Sequence, residues 1–278
     1  MSVCIFCGKP AGFFHSKHSE CVRKHENGKH EIEDLILNIP TSSTLVEDVA
    51  SRITEIAKRS FILENEQYTL SVKAWSEAVD HSLHGGILSD EAEQRLIGLK
   101  EALSLSRSGL EATGAWVRVV KSATIRDVLN GVIPRRMSLE GNLSLSLNLQ
   151  KGEQIVWAFN ASEYLEDKTR RQYVGGSSGV SVRVMKGVYY HVGGFKGRAI
   201  DRTERVHVDT GWVVVTNKHI YFTGSHKDFR VPFTKVVSFH PFSDGFGITR
   251  EAATAKPQFF ITHDGWFAYN LVTNLARL

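Results

Sequence analysis

The three cysteines of this chain all lie within its first 21 residues, together with one histidine, in the order Cys4-x2-Cys7-x10-His18-x2-Cys21. A gap of two residues lets one tight turn present two sulfur atoms to the same ion, and His18 and Cys21 share a face of a helix that begins there. Three thiolates and one imidazole make a closed tetrahedral set, as in structural zinc sites. The spacing therefore predicts a small zinc finger at 1–30 whose metal stabilises the fold and performs no reaction.

His15 is the alternative nitrogen ligand for this site. Its use would separate the last ligand pair by five residues, which suits one helical turn less well, so His18 is preferred. The segment before Gly28 has few apolar side chains, and metal binding supplies on the order of 10 kcal/mol to such units. An odd number of cysteines argues against a disulfide framework, and free thiols persist in reducing compartments, so we expect a cytoplasmic protein.

The overall composition is that of a globular protein. The 278 residues are 42% apolar and 23% charged, which suffices for two or three domains with hydrophobic cores. No apolar run approaches the roughly 18 residues that a membrane-spanning helix needs, and the first residues lack the basic-then-apolar pattern of a signal peptide. We therefore expect neither a transmembrane nor a secreted protein.

The middle of the chain shows helical periodicity. Thr44 followed by Glu47 has the pattern of a capping box, and apolar residues then recur at three- and four-residue steps in three segments. Ser89 or Asp90 begins the third segment. The pattern predicts a helical module at 44–135 that contains a three-helix bundle.

The connection between the second and third predicted helices has the length of a calcium-binding loop but lacks most of the oxygen ligands that calcium needs, so no calcium site is predicted. Its sequence at 85–91, GGILSDE, resembles the loop of small bacterial helical modules. These include tellurite-resistance-type bundles and short C-terminal oligomerisation domains. Helical bundles such as the one predicted at 44–106 often associate, so a homo-oligomer is one expected state of the chain.

From about residue 150 the periodicity changes to two, with frequent turn residues, as in short antiparallel strands. Seven or more such strands predict an antiparallel β barrel or sandwich. The spacing of Phe267, Leu271 and Leu275 predicts that a C-terminal helix closes it. Together with the finger and the helical module, this gives an α+β multidomain fold.

Three segments of this region resemble a bacterial pleckstrin-homology-like (PH-like) or GRAM-like domain. They are 212–224 (WVVVTNKHIYFTG), 229–238 (FRVPFTKVVS) and 243–250 (SDGFGITR). The resemblance implies a PH-like β domain at 150–278 that acts as a non-enzymatic scaffold binding proteins or anionic lipids. A Gly-rich basic insertion at about 168–205 departs from the minimal domain.

The basic insertion is the candidate surface for an anionic partner. Nine lysines and arginines and only two acidic residues lie between Lys168 and Arg205, a local charge of +7 in a chain whose net charge is +4. Basic residues interleaved with aromatic ones favour a nucleic acid, an anionic lipid or an acidic protein surface. The alternative interpretation is a set of solvated turns between strands. The candidate binding residues are Lys168, Arg170, Arg171, Arg183, Lys186, Lys196 and Arg198.

The sequence contains no convincing catalytic constellation. The string Gly-Gly-Ser-Ser-Gly at 175–179 fits the nucleophile elbow of serine hydrolases, but an alternating strand follows it where that motif needs a helix. We therefore predict a non-catalytic cytoplasmic interaction protein with a structural zinc site, whose partner is a protein or another anionic surface. The alternative is a nucleic-acid-binding protein that uses the finger and the basic insertion. A metal-dependent hydrolase or nuclease is the third class.

Overall fold

The computed structural model describes residues 2–12, 15–83, 85–134, 147–185, 188–252 and 255–278, with the backbone only for the described part of 169–202. The chain forms two compact units, Met1–Val132 and Ile133–Leu278. Within the described ranges, no helix combines the length and the apolar character needed to cross a bilayer.

The first unit is helical apart from a short hairpin at its start. Strands β1 and β2 form the hairpin, and six α-helices follow in the described residues, with a 3-10 turn at Ile39–Thr41 after the first of them. The elements are β1 (Ser2–Val3), β2 (Pro10–Gly12), α1 (Ser19–Leu37), α2 (Val46–Arg59), α3 (Glu64–Ser82), α4 (Asp90–Ala102), α5 (Arg107–Ala112) and α6 (Ala115–Leu129).

The helical core is larger than the predicted three-helix bundle. The predicted segments correspond to α2, α3 and α4, but α1, α5 and α6 contribute to the same core. Ile32 and Ile36 of α1 are fully buried against it, and Trp75 of α3 is also fully buried and donates its indole N–H to the carbonyl of Leu96 at 2.8 Å. Apart from Cys21 and Val22 in the first turn, the apolar residues of α1 lie in its second half, so the helical periodicity is weak along its whole length.

Of the two predicted helix caps, one is confirmed and the other is wrong. The hydroxyl of Ser89 accepts a hydrogen bond from the N–H of Ala92 at 3.1 Å, as an N-cap of α4 should. Helix α2 begins without a side-chain cap. The N–H of Thr44 donates to the hydroxyl of Ser42 at 3.1 Å, and its carbonyl accepts from the guanidinium of Arg95, which ties the start of α2 to α4.

Replacing Ser89 with alanine should therefore lower the free energy of unfolding of the helical unit by about 1 kcal/mol, because one N–H at the start of α4 loses its partner. Urea denaturation followed by circular dichroism measures the change. Ser51→Ala is the matched control, since the Ser51 hydroxyl lies within α2 and donates to the carbonyl of Glu47 at 2.9 Å without capping a helix end. An equal loss in both variants would contradict the capping role.

The second unit is one antiparallel sheet followed by a helix. The seven strands pair in the order β6-β5-β4-β3-β9-β8-β7. Among the described residues no pairing joins the edge strands β6 and β7, so the sheet is not closed into a barrel. The predicted α+β class and the terminal helix are confirmed. The elements are β3 (Ile155–Met185), β4 (Val188–Thr216), β5 (His219–Gly224), β6 (Asp228–Pro232), β7 (Val236–Pro241), β8 (Gly245–Arg250), β9 (Gln258–Ile261) and α7 (Gly265–Leu275).

Aromatic side chains fill the core of this unit. Phe222, Phe246 and Phe260 are almost completely buried on the sheet, and Phe267 of α7 packs edge-on against Trp157 with ring centroids 4.7 Å apart. The Asp-Gly turn before β8 has a steric cause. A Cβ atom at Gly245 would lie 1.9 Å from the carbonyl oxygen of Phe260, so only glycine fits there.

Strands β3 and β4 extend far beyond the rest of the sheet. Strand β9 pairs with β3 only from Glu163 to Glu166, and β5 pairs with β4 only from Gly211 to Val215. Beyond these contacts, residues 167–185 and 188–205 pair with each other alone; we call this two-stranded segment the ribbon. At about 3.3 Å per residue the ribbon is about 60 Å long. The basic insertion is thus a continuous antiparallel ladder and not a set of turns.

Candidate metal centre

The four predicted ligands converge at the start of the chain. One ligand atom from each of Cys4, Cys7, His18 and Cys21 lies within 4.8 Å of the others. The Nδ1 atom of His18 is 3.3 Å from the sulfur of Cys7 and 3.7 Å from that of Cys21. A zinc ion with ordinary bond lengths in a regular tetrahedron would hold sulfur and nitrogen about 3.5 Å apart. The cluster therefore has the donor set and the spacing to hold one metal ion.

Local backbone structure brings the donors together. The Cys4 N–H donates to the carbonyl of Lys9 at 2.8 Å, and the Gly8 N–H donates to the carbonyl of Cys4 at 2.9 Å, which closes the turn between the first two cysteines. Gly8 has φ +70°, a conformation that favours glycine. His18 is the N-cap residue of α1, and Cys21 lies three residues later in the first turn of the same helix. The tight turn and the helix start predicted from the spacing are thus both observed.

A carbonyl group outside the donor set orients His18. Its Nε2 lies 3.0 Å from the carbonyl oxygen of Pro10, so Nε2–H donates there and Nδ1 faces the sulfur atoms. Metal-binding histidines commonly have such a partner, which fixes the tautomer and the ring orientation. The Pro10 carbonyl, followed by the hydrogen bond with Cys7, raises the pKa of His18.

The thiols influence one another's ionisation. Although burial opposes ionisation of Cys4, backbone N–H groups, first among them that of Cys7, favour its thiolate and lower its pKa from 9.0 to about 6. Burial, followed by the neighbouring Cys7 and Cys4, raises the pKa of Cys21 to about 11. One thiolate thus forms easily and the next resists ionisation beside it. A bound dication would favour the thiolate form of all three and would compensate two of their three negative charges.

The alternative ligand His15 is not part of the cluster. Its side chain is exposed, and its backbone carbonyl accepts a hydrogen bond from the hydroxyl of Ser2 at 2.7 Å. Of the two candidate histidines, the structure places His18 beside the three sulfur atoms.

The metal-binding turn packs on the helices through an aromatic contact. Phe6, between the first two cysteines, lies 4.7 Å from the ring of His25 and 6.2 Å from that of Phe61, measured between centroids. Its position beyond the last cysteine favours a solvated polar residue at His25, but the structure buries this side chain. It is 7% exposed, with Nδ1 3.0 Å from the carbonyl of Ser60 and Nε2 3.0 Å from a carboxylate oxygen of Glu66.

The basic candidates lie on the ribbon. Lys168 is exposed at its base. Five others occupy backbone positions in β3 and β4, namely Arg170, Arg171, Arg183, Lys196 and Arg198. Lys186 lies outside the described residues. The Gly-Gly-Ser-Ser-Gly string at 175–179 lies in the middle of β3, paired along its length with β4, so no strand-turn-helix surrounds its serines.

Comparisons with protein-family models, curated proteins and solved structures found no match. No family is shown. The role of the metal centre and of the two units is therefore argued from the geometry of this chain alone.

Sequence reasoning missed a buried carboxylate in the second unit. The side chain of Glu153 is completely excluded from solvent. Its Oε1 accepts from the hydroxyl of Thr216 at 2.6 Å and from Nδ1 of His219 at 2.8 Å, and its Oε2 accepts from the N–H of Gln150 at 2.8 Å and the hydroxyl of Tyr221 at 2.9 Å. Although burial opposes ionisation, these hydrogen bonds, led by that of Thr216, lower the pKa of Glu153.

Each carboxylate oxygen of Glu153 accepts two of these four hydrogen bonds, so this side chain has a structural role. It ties the segment before β3 to the hairpin between β4 and β5. The sequence signal for this cluster was the TNKHIY run at 216–221, which supplies three of the four hydrogen-bond donors. Only the fold connects that run to a glutamate more than sixty residues earlier in the chain.

Proposed function

We propose that this chain is a non-catalytic interaction protein in which a structural zinc ion holds an N-terminal finger on a helical unit and a PH-like β unit binds a protein or another anionic partner. The observation that carries the zinc assignment is the convergence of Cys4, Cys7, His18 and Cys21. Three sulfurs and one nitrogen fill a tetrahedral coordination sphere, which leaves no position for a reacting water. The zinc would stabilise the turn and the start of α1.

The binding role of the second unit is supported by its architecture. Seven antiparallel strands followed directly by α7 agree with the resemblance to PH-like and GRAM-like domains. The hydrogen-bonded Thr216 and His219 and the sterically required Gly245 belong to the segments that carry this resemblance. They maintain the scaffold, and none of them is placed in a catalytic role.

The purified protein should contain about one zinc ion per chain, because a closed set of four protein ligands holds one ion. Elemental analysis after extensive dialysis measures the content, and titration with a thiol reagent before and after chelation measures protection of the cysteines. A protein without metal whose Cys4 and Cys7 react freely would exclude the zinc assignment.

The binding role is tested separately by cross-linking in the native cell. The wild-type chain is compared with a variant in which a short turn joins Asp167 to Arg205 and so removes the ribbon. We expect a cross-linked partner that the wild type retains and the shortened variant loses. Equal recovery of every partner by both chains would place binding elsewhere.

A nucleic acid is the second candidate partner, and the observation that favours it is the concentration of positive charge on the ribbon. That candidate requires binding that weakens steeply with salt, because each neutralised phosphate releases a counterion.

A further inference from the structure

The ribbon is a two-stranded structure without support on either edge in the described part of the chain. Beyond Glu166 on β3 and Val206 on β4, the ladder records pairing of the two strands only with each other. An isolated pair of strands is marginally stable in water, and unpaired strand edges invite a partner. A segment about 60 Å long that protrudes in this way is suited to contact another macromolecule.

The register of the ribbon distributes its charges unequally between its two faces. Directly paired residues lie on the same face, and alternate residues lie on opposite faces. From Leu165 to Arg183 the register is continuous, so the even-numbered positions of both strands share one face. This face, which we call the basic face, carries five basic residues and one acidic residue: Lys168, Arg170, Lys196, Arg198, Arg202 and Glu204.

The opposite face is close to neutral. Its three arginines, Arg171, Arg183 and Arg205, share it with two aspartates. Both aspartates are paired directly with an arginine in the register, Asp167 with Arg205 and Asp201 with Arg171. The first of these pairs is also an ion pair, with 3.6 Å between nitrogen and oxygen. The strong positive charge of the insertion is therefore a property of one face.

Glycines interrupt both faces of the ribbon. On the basic face Gly176 is paired with Lys196 and Gly194 with Ser178, while the pairs Gly175–Gly197 and Gly179–Gly193 lie on the opposite face. Glycine in a strand weakens it and commonly marks a place where another backbone approaches closely. A bare segment of ladder next to a row of cations suits a polyanion whose charge lies on its own backbone.

We propose that the basic face binds the phosphodiester backbone of duplex nucleic acid, with the ribbon lying in a groove. A two-stranded ribbon fits the major groove of B-form DNA. The basic positions extend over four two-residue steps of the ladder, about 27 Å, which corresponds to about eight base pairs. This inference rests on the proposed binding role of the β unit and names its partner class.

The test compares two double variants of the full-length, zinc-loaded chain with the same net charge. Arg170→Gln with Arg198→Gln removes two cations from the basic face, and Arg171→Gln with Arg183→Gln removes two from the opposite face. Fluorescence anisotropy measures binding to a short labelled DNA duplex of mixed sequence between about 50 and 200 mM salt. Circular dichroism confirms that both variants are folded.

We expect the wild type to bind the duplex with a steep salt dependence. The basic-face variant should lose about tenfold in affinity, and its slope of log K against log salt should become shallower by about 0.9 for each arginine removed. The opposite-face variant should keep both values close to wild type. Equal loss in both variants would overturn the assignment to one face, and no salt-sensitive binding by the wild type would overturn the proposal.

Two further arms distinguish other partners. The sequence has valines on the outer part of the basic face, at 180, 182 and 192, so anionic phospholipid vesicles are tested in parallel; vesicle binding without duplex binding would overturn the nucleic-acid assignment. Light scattering tests whether a second copy of the chain pairs with the ribbon edges. A dimer that excludes the duplex would also overturn the nucleic-acid assignment. A protein partner captured through the ribbon would leave the proposed function intact while this inference fails.

Discussion

His18→Ala should reduce zinc affinity by more than 100-fold and free the N-terminal turn from the helices. The expectation follows from the donor geometry, since His18 supplies the only nitrogen among the four converging ligand atoms. Loss of an outer hydrogen-bond partner alone commonly costs about 10–100-fold in metal affinity, and loss of a ligand costs more. Competition with a chromophoric chelator measures the affinity.

His15→Ala is the matched control for this substitution. It removes the same side chain three residues earlier, from an exposed position outside the donor set. We expect wild-type zinc affinity and stoichiometry in this variant. If His15→Ala weakened zinc binding as much as His18→Ala, the ligand assignment would be wrong.

Chelation of the metal should unfold the turn without melting the helical unit. Metal binding supplies about 10 kcal/mol to a small segment of this type, and few other contacts hold it. Among the described residues, by contrast, the helical core begins at Ile32. We therefore expect all three thiols to become reactive and the Phe6 contact with His25 to be lost, while most of the helical circular dichroism remains. A cooperative loss of the whole helical signal on chelation would show that the metal stabilises the entire unit.

The metal centre could be predicted from the sequence because its information is local. Cys4 and Cys7 are joined by one turn, and His18 and Cys21 lie at the start of one helix, so the spacing alone fixes their approach. The cap of α4 by Ser89 is local in the same sense. The Thr44 capping box is not formed because Leu45 takes the N-cap position of α2, and the N–H of Thr44, which the box would pair with Glu47, donates to the hydroxyl of Ser42 at 3.1 Å.

Features that depend on distant residues could not be predicted. His25 is buried because Ser60 and Glu66, 35 and 41 residues further along, provide acceptors for its two ring nitrogens. The ribbon could be recognised only from the pairing of β3 with β4, because an alternating sequence predicts strands but not their partners or their length. The separation of charge between its two faces follows only from that register.

Glu153→Ala should lower the free energy of unfolding of the β unit by about 3–5 kcal/mol, because it leaves several buried donors without an acceptor. The donors are the hydroxyls of Thr216 and Tyr221, Nδ1–H of His219 and the N–H of Gln150. Thermal and urea unfolding of the full chain, followed by tryptophan fluorescence, measure the loss. Glu251→Ala is the matched control, since Glu251 is mostly exposed and forms a surface ion pair with Lys235, and it should change stability by less than about 0.5 kcal/mol.

The pH dependence gives a second, independent measure of the same carboxylate. Because the pKa of Glu153 is lowered in the folded state, its ionisation stabilises the β unit above the ordinary glutamate value of 4.5, and this contribution is lost as the pH falls through the lowered folded pKa. Glu153→Gln keeps the size of the side chain and removes the titration. The stability difference between wild type and Glu153→Gln should therefore narrow as the pH decreases below about 4.5. A difference that stays constant from neutral to acidic pH would mean that folding does not shift the pKa of this carboxyl, and a gain of wild-type stability relative to Glu153→Gln as the pH falls would mean that the buried group is protonated in the folded protein.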